Sequence, residues 1–427
     1  MISTIKIPIF VLGALFFFTA LTPAFGMEGL TLDVKATALA GINSLADDSD
    51  QNPGNRLAQI SDKESVLTLK PDLSLAYEDW LFSAKPRLEM SLKNYDINGA
   101  SDDVFDKNAD IAEFMIRRKL TESLFLSYGR ENLQWGPSFL YSPSNPFFND
   151  NGKKSLIQDL EGKGMLKLVM VHDFAWSFSL IYNTDKGAFN ESDFEKTLAL
   201  KIDYSGDAGY AALILSHTDQ GKTKLGTFAG TTLTDALIIY GETSLQKGTK
   251  ALYPSAIQGP MTWDMTTLKN NSDLYATLLL GAAYTLESGD SLCLEYLYYG
   301  QGYDSDESSD FNRLKHSAKD FYMSQTALTG YGHQLLGKTA GNGLDFLRQN
   351  YLMLQYLNDD IIGSMDLVSR ITLCLDDGSS RLYSSLSYDL NDHMEIKVAG
   401  LLNTGGADAS FGTYLDYQVQ IALEYTY

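Results

Sequence analysis

The sequence predicts a transmembrane antiparallel β-barrel of about 18 strands, with short turns at one rim and long loops at the other. Three observations carry this. An export signal is readable at the N-terminus. The body of the chain alternates apolar and polar residues with period two and contains no apolar run long enough for a spanning helix. The last residues, Leu415 to Tyr427, alternate almost without fault and stop on an aromatic side chain.

At the N-terminus, Lys6 precedes the apolar run Ile7 to Leu21, and Ala24-Phe25-Gly26 offers small residues where a signal peptidase reads. The run is shorter than the ~20 residues a membrane-spanning helix needs. Pro8 and Pro23 bracket it. Residues 1–26 therefore read as a cleaved signal peptide and 27–427 as a single barrel domain. An exported chain with 12% aromatic residues, 25 Tyr and 35 Gly fits a barrel better than a soluble sandwich. In a bilayer every backbone polar group must pair internally, so only helices or closed barrels span it.

Alternating segments fall near 30–40, 65–77, 80–94, 110–120, 123–130, 162–172, 174–183, 195–205, 208–217 and 222–231. They continue near 235–246, 273–286, 290–300, 346–357, 363–375, 381–390, 393–402 and 413–427. The count is even, as single-chain bacterial barrels require. With a periplasmic N-terminus, every second connection should be tight. Glu78-Asp79, Thr121-Glu122, His172-Asp173, Thr234-Asp235 and Asn391-Asp392 are among those that carry turn chemistry. The long connections 41–64, 95–109, 131–161, 247–272 and 301–345 then all lie outside. The closing strand runs from outside to periplasm and zips against the strand near 30–40. It resembles the tail by which bacterial outer-membrane barrels are recognised, which implies the barrel-assembly machinery as a partner through Tyr427.

The net charge of −21 disfavours nucleic acid, because phosphates would be repelled. Acids gather in candidate loops at Asp47, Asp48 and Asp50, at Asp102, Asp103 and Asp106, and at Asp304, Asp306, Glu307 and Asp310. Such loops either hold divalent cations beside lipopolysaccharide or simply keep the surface soluble. Cys293 and Cys374 make no disulfide framework, and no Cys/His spacing suggests a metal. The five His are scattered and no nucleophile elbow is present, so neither catalysis nor a cofactor is indicated. Gly332 to Thr339 satisfies the pattern G-x-x-x-x-G-K-T, but it lacks the preceding buried strand and following helix that phosphate binding needs. It reads as a Gly-rich, flexible loop. Nearby, Asp310 to Leu328 has the spacing of a short amphipathic helix, either a lid or a helix packed on its own loop.

The most distinctive local segment is Gly129-Arg130-Glu131-Asn132-Leu133-Gln134-Trp135-Gly136-Pro137, continued by Ser142-Pro143-Ser144-Asn145-Pro146-Phe147-Phe148. Pro fixes φ, and aromatics must find a surface to cover, so this loop is stiff. Two placements are open: folded into the barrel as a constriction, with Arg130, Trp135, Pro137, Pro143, Asn145, Pro146 and Phe147 forming it, or packed over the rim. Strand phase turns Lys85, Arg87, Arg117, Lys119, Lys163 and Lys167 inward, with Glu89 and Glu113 nearby. A basic ladder in a narrow wet pore concentrates anions. The alternative is that these residues pair with lumen acids and brace the wall. Arg118 falls on the lipid-facing phase, where it snorkels near a rim or marks a bulge.

A glycine-arginine strand end, then Trp135-Gly136, then the Pro-Asn-Pro-Phe stretch at 143–147 resembles a motif of porin-like Gram-negative outer-membrane barrels, among them alginate-export-type and capsule-assembly-type proteins. The resemblance covers roughly 20 residues. It implies a channel or surface-polysaccharide role. The expected function is a passive outer-membrane channel for small hydrophilic solutes, favouring anions or acidic sugars. Polysaccharide export or surface attachment is the alternative, and a sheath around a periplasmic redox partner is a third. Outer-membrane lipid and lipopolysaccharide are the expected surroundings.

Overall fold

The computed structural model describes residues 29–46, 49–148, 156, 161–186, 195–256, 263–267, 272–324 and 326–427. The signal peptide expected at 1–26 lies outside the described residues. The strands are β1 (Leu30–Leu45), β2 (Lys63–Tyr77), β3 (Trp80–Ile97), β4 (Ala100–Thr121), β5 (Leu124–Glu131), β6 (Lys163–His172) and β7 (Trp176–Asp185). They continue as β8 (Thr197–Gly206), β9 (Gly209–Thr218), β10 (Thr223–Thr234), β11 (Leu237–Lys247), β12 (Tyr253–Ala256), β13 (Trp263–Thr266) and β14 (Leu274–Thr285). The last are β15 (Ser291–Tyr299), β16 (Asn350–Asn358), β17 (Met365–Cys374), β18 (Ser380–Asn391), β19 (Met394–Thr404) and β20 (Leu415–Thr426).

Eighteen of these make one antiparallel sheet, while β12 and β13 pair only with each other. The sheet closes on itself because β20 pairs with β19 on one side and β1 on the other, with Ala38 opposite Leu423 and Ile42 opposite Val419. The predicted closing strand and its pairing with the first strand therefore hold.

Alternation produces two chemically distinct walls. Leu213, Leu215, Leu280, Leu294 and Ile421 stand outward, each about half exposed, while Ile214, Leu279, Glu295 and Gln420 face inward and are buried. At the tight-turn rim the outward face carries Trp80 stacked on Phe82 at 6.0 Å and Trp176 against Tyr204 at 4.8 Å. Arg118 shares this outer face, its guanidinium 5.0 Å from the centre of the Trp80 ring, so it does snorkel at a rim.

Two connections differ from expectation. Residues 95–109 are not a loop: β3 and β4 run on as a hairpin to a turn at Asn98-Gly99, where both residues have positive φ. Asn-Gly is the favoured pair for such a two-residue turn, and the alternation signal was masked by the run of Asp around it. The long connection after β15 holds two helices, α1 (Ser305–Met323) and α2 (Thr329–Ala340). α1 starts earlier than the apolar spacing suggests because Asp304 and Glu307 form a capping box, Asp304 accepting from the Asp306 and Glu307 N–H groups at 2.9 Å each. Gly332 to Thr339 is not a flexible loop either. It lies inside α2, whose Leu335 and Leu336 bury against Ala318 of α1. Its N–H groups are spent on the helix, so it cannot cradle phosphate.

Candidate functional site: a loop clamped across the lumen

After Glu131 the chain turns inward, and 132–148 lies against inward-facing residues of strands on several sides of the barrel. Trp135 and Phe147 meet edge to face at 5.9 Å and pack on Met165, Ile181 and Ala199 of β6, β7 and β8. Lys201 of β8 sits under the Trp135 ring, 5.1 Å from its centre, and is ion-paired to Asp203. Asn145 stiffens the turn from within: its amide donates to the Leu133 carbonyl at 2.6 Å, and its oxygen accepts from the Phe147 N–H at 2.9 Å.

Two wall carboxylates then hold the loop from the far side. Glu242 of β11 accepts from the Ser138 hydroxyl at 2.8 Å, the Ser142 hydroxyl at 2.5 Å, and the Ser144 N–H and hydroxyl at 3.0 and 2.6 Å. Glu295 of β15 takes two consecutive backbone N–H groups, one on each oxygen: Phe139 at 2.7 Å and Leu140 at 2.8 Å. The Tyr240 hydroxyl adds a third bond to Glu295 at 2.7 Å. A charged acceptor makes each of these stronger than a neutral hydrogen bond. Glycine permits the approach. Gly136 has φ +86°, and a Cβ there would meet the Glu242 carboxylate at 2.5 Å; a Cβ on Gly226 of β10 would meet the Ser144 carbonyl at 2.6 Å.

The tip of the loop is Tyr141. Its hydroxyl donates to Asp345 at 2.7 Å, and its ring meets Phe346 edge to face at 5.5 Å. Burial, reinforced by the Asp345 charge, pushes the Tyr141 hydroxyl well above its ordinary range and keeps it a neutral donor. Between this tip and the wall of β16 to β19 lies a cavity of about 240 Å³, lined among others by Tyr141, Asp345, Arg370, Arg381, Tyr383 and Phe411. Arg370 donates to Gln355 Oε1 at 2.9 and 2.5 Å, and Arg381 to Asn403 Oδ1 at 2.8 Å. In these bonds two arginines meet neutral amide oxygens.

The basic residues expected from phase do stand inward, but most are matched by acids. Lys85 pairs with Glu113 at 3.0 Å, and Arg87 with Asp110 at 2.6 Å and Glu161 at 2.5 Å. Lys167 pairs with Glu131, and Lys119 with Glu122 at 2.7 Å at the turn. Arg117 has its guanidinium 5.8 Å from the centre of the Phe125 ring, and Lys163 lies opposite Glu131 in the β5–β6 register. These pairings fit the alternative in which the residues brace the wall. Arg130 is misplaced in the constriction set. Ser127 and Gly129 are buried on the inward face, so Arg130 falls on the opposite one, where its guanidinium bonds the Ile111 carbonyl at 3.0 Å. Trp135, Pro137, Pro143, Asn145, Pro146 and Phe147 all lie in the inward loop. Sequence reasoning missed Glu242, Glu295, Arg370 and Arg381. Glu242 and Glu295 are each the single charged residue at inward phase on their strand, which is the signal that marks them, whereas Arg370 and Arg381 share that phase with Asp366 and Asp389.

No family model and no curated protein matches the sequence. Solved structures match the fold at low identity. Outer membrane protein OprD from Pseudomonas aeruginosa is 10% identical with a TM-score of 0.54, covering 94% of each chain. OccK11 (OpdR) of the same organism is 12% identical with a TM-score of 0.54, covering 94% of this chain and 96% of that one. OccAB2 of Acinetobacter baumannii is 10% identical with a TM-score of 0.52, covering 94% and 98%. The shared feature is the closed 18-stranded antiparallel barrel.

Proposed function

We propose that the chain is an outer-membrane channel for small hydrophilic solutes, narrowed by the loop 132–148 and favouring anions. The observation that carries this reading is the cavity beside Tyr141, where Arg370 and Arg381 face the narrowed passage. Carboxylates already occupy the basic residues on the β3–β6 side. On the β18 side the Arg381 guanidinium donates to the neutral Asn403 oxygen, and a low-dielectric wall strengthens its positive field at the passage. The likeness to an outer membrane protein of Pseudomonas aeruginosa supports the address, as does the apolar outer wall. The resemblance of the Gly129-to-Phe147 segment to alginate-export-type and capsule-assembly-type barrels points to acidic sugars among the solutes. Liposome swelling tests the reading. Vesicles carrying the protein should admit small monocarboxylates faster than cations of equal size, and Arg370→Ala with Arg381→Ala should erase the difference. Equal rates in the unaltered protein would count against anion preference, and no swelling with any solute against the channel itself.

A further inference from the structure

The two helices after β15 are not an isolated decoration. Inside the unit they form with the β12–β13 hairpin, the contacts are apolar: Phe311 and Leu314 of α1 bury against Tyr253, Met265 and Tyr303. Lys338 of α2 also pairs with Asp264 of that hairpin at 2.7 Å. Toward the loops of other strands the chemistry changes. Lys319 pairs with Asp50 of the β1–β2 loop at 2.8 Å, and His316 lies 3.4 Å from the same carboxylate. Lys315, fully buried, donates to the Ala407 carbonyl of the β19–β20 loop at 2.8 Å and sits 3.6 Å from Asp408. Leu57 also packs against Leu335 and Leu336 across this seam, and the Asn312 amide donates to the Asp408 carbonyl at 3.2 Å. The unit thus reaches from the β11–β14 connection, past β15 to β19, to loops at β20, β1 and β2. It is cemented within and held mainly by charge at its far margin. Its return segment also touches the constriction. Asp345 and Phe346, just past α2, are the partners of Tyr141.

We propose that α1 and α2 form a lid over the extracellular mouth, latched by Asp50–Lys319 and Lys315–Asp408, and coupled through Asp345 and Tyr141 to the constriction loop. Releasing the latch lifts the unit about its apolar base, draws Asp345 and Phe346 from the tip of the loop, and widens the passage below. Ion pairs at such a seam weaken as salt rises, whereas the apolar base does not, so the seam is where the unit parts. This regulation rests on the channel reading, but the lid can be judged without it.

Spin labels at Ala58→Cys and Asp320→Cys report the seam in the protein embedded in nanodiscs; Cys293 and Cys374 are buried and escape labelling. The native latch should give mainly one short separation. Asp50→Asn, Lys315→Met or 1 M salt should raise a longer component at least fivefold. Lys319→Gln, at a more exposed site, serves if the buried variant fails to assemble. An unchanged distribution in every latch variant and at high salt overturns the lid. Channel recordings test the coupling: latch variants should lengthen the time spent in the larger conductance state, and Tyr141→Phe should remove their effect. Seam opening with conductance states unaltered overturns the coupling. A barrel that conducts in no variant sinks the channel reading and leaves the distance result to decide the lid.

Discussion

Replacing Glu295 with glutamine is the sharpest single perturbation of the clamp. The carboxylate offers one oxygen to the Phe139 N–H and the other to the Leu140 N–H. A carboxamide is nearly the same size but has one oxygen and one NH2. It can serve only one of the two donors, and its own donors confront the other. The loss is one hydrogen bond to a charged group, about 1.5–3 kcal/mol, with about 1–3 kcal/mol more for a buried donor left unsatisfied. Allowing for partial relaxation, a net cost of about 3 kcal/mol is expected, which raises the loop-release constant about 150-fold at ~1.4 kcal/mol per decade. Hydrogen exchange of the segment around Phe139 and Leu140 reads this constant directly, because those amides exchange only when the loop lets go. Tyr240→Phe removes its bond to Glu295 together with the hydroxyl's 3.1 Å contact to Cys293 Sγ, and should cost about 1 kcal/mol, roughly a fivefold effect. If Glu295→Gln exchanges at the native rate, the loop is held by something other than this carboxylate.

Further outcomes follow from the same contacts. Gly226→Ala places a methyl 2.6 Å from the Ser144 carbonyl, so it should raise current noise and the size limit for solutes while heat-resistant assembly of the barrel stays intact on gels. Arg381→Ala removes a unit charge beside the passage. At about 6 Å and an effective dielectric of about 40 this amounts to ~1.4 kcal/mol, so the anion-to-cation permeability ratio from reversal potentials should fall about tenfold. Burial pushes the Asp377 carboxyl up, but hydrogen bonds from Ser379 and Ser410 outweigh it and hold the group below its ordinary 3.8. A depressed value stabilises the contact between the β17–β18 turn and the β19–β20 loop above the unfolded value, and the stabilisation is lost as pH falls through the folded one. Protection of the Ser410 and Phe411 amides, measured relative to their intrinsic exchange rates, should therefore fall only below about pH 3.8 and stay level between pH 5 and 7.

The barrel was legible because a membrane wall imposes one rule on every strand. Phase at Leu213, Leu280 and Ile421 against Ile214, Leu279 and Gln420 repeats that rule, and the tight turns mark its direction. What the sequence hides is pairing between distant strands. Lys85 and Glu113 look like a basic residue with an acid nearby until the β3–β4 register, with its bulge at Pro86, puts them side by side. The loop was recognisable as stiff from Pro137, Pro143 and Pro146. Its destination depended on Glu242 and Glu295, about 100 and 155 residues away in sequence, and on a bare Gly226 that only the fold presents. Helices in the outer connection were half legible: apolar spacing marked α1, while the glycines in α2 argued for a loop until Ala318 supplied a surface for Leu335 and Leu336. Arg130 shows the cost of reading a motif without its phase.

The most direct measurement is the reversal potential of single channels of the unaltered protein in a planar bilayer under a salt gradient. Discrete conductance steps with a reversal potential displaced toward the anion equilibrium potential are expected from a loop-narrowed passage with arginines on one wall. A barrel that yields no steps, or steps selective for cations, contradicts it.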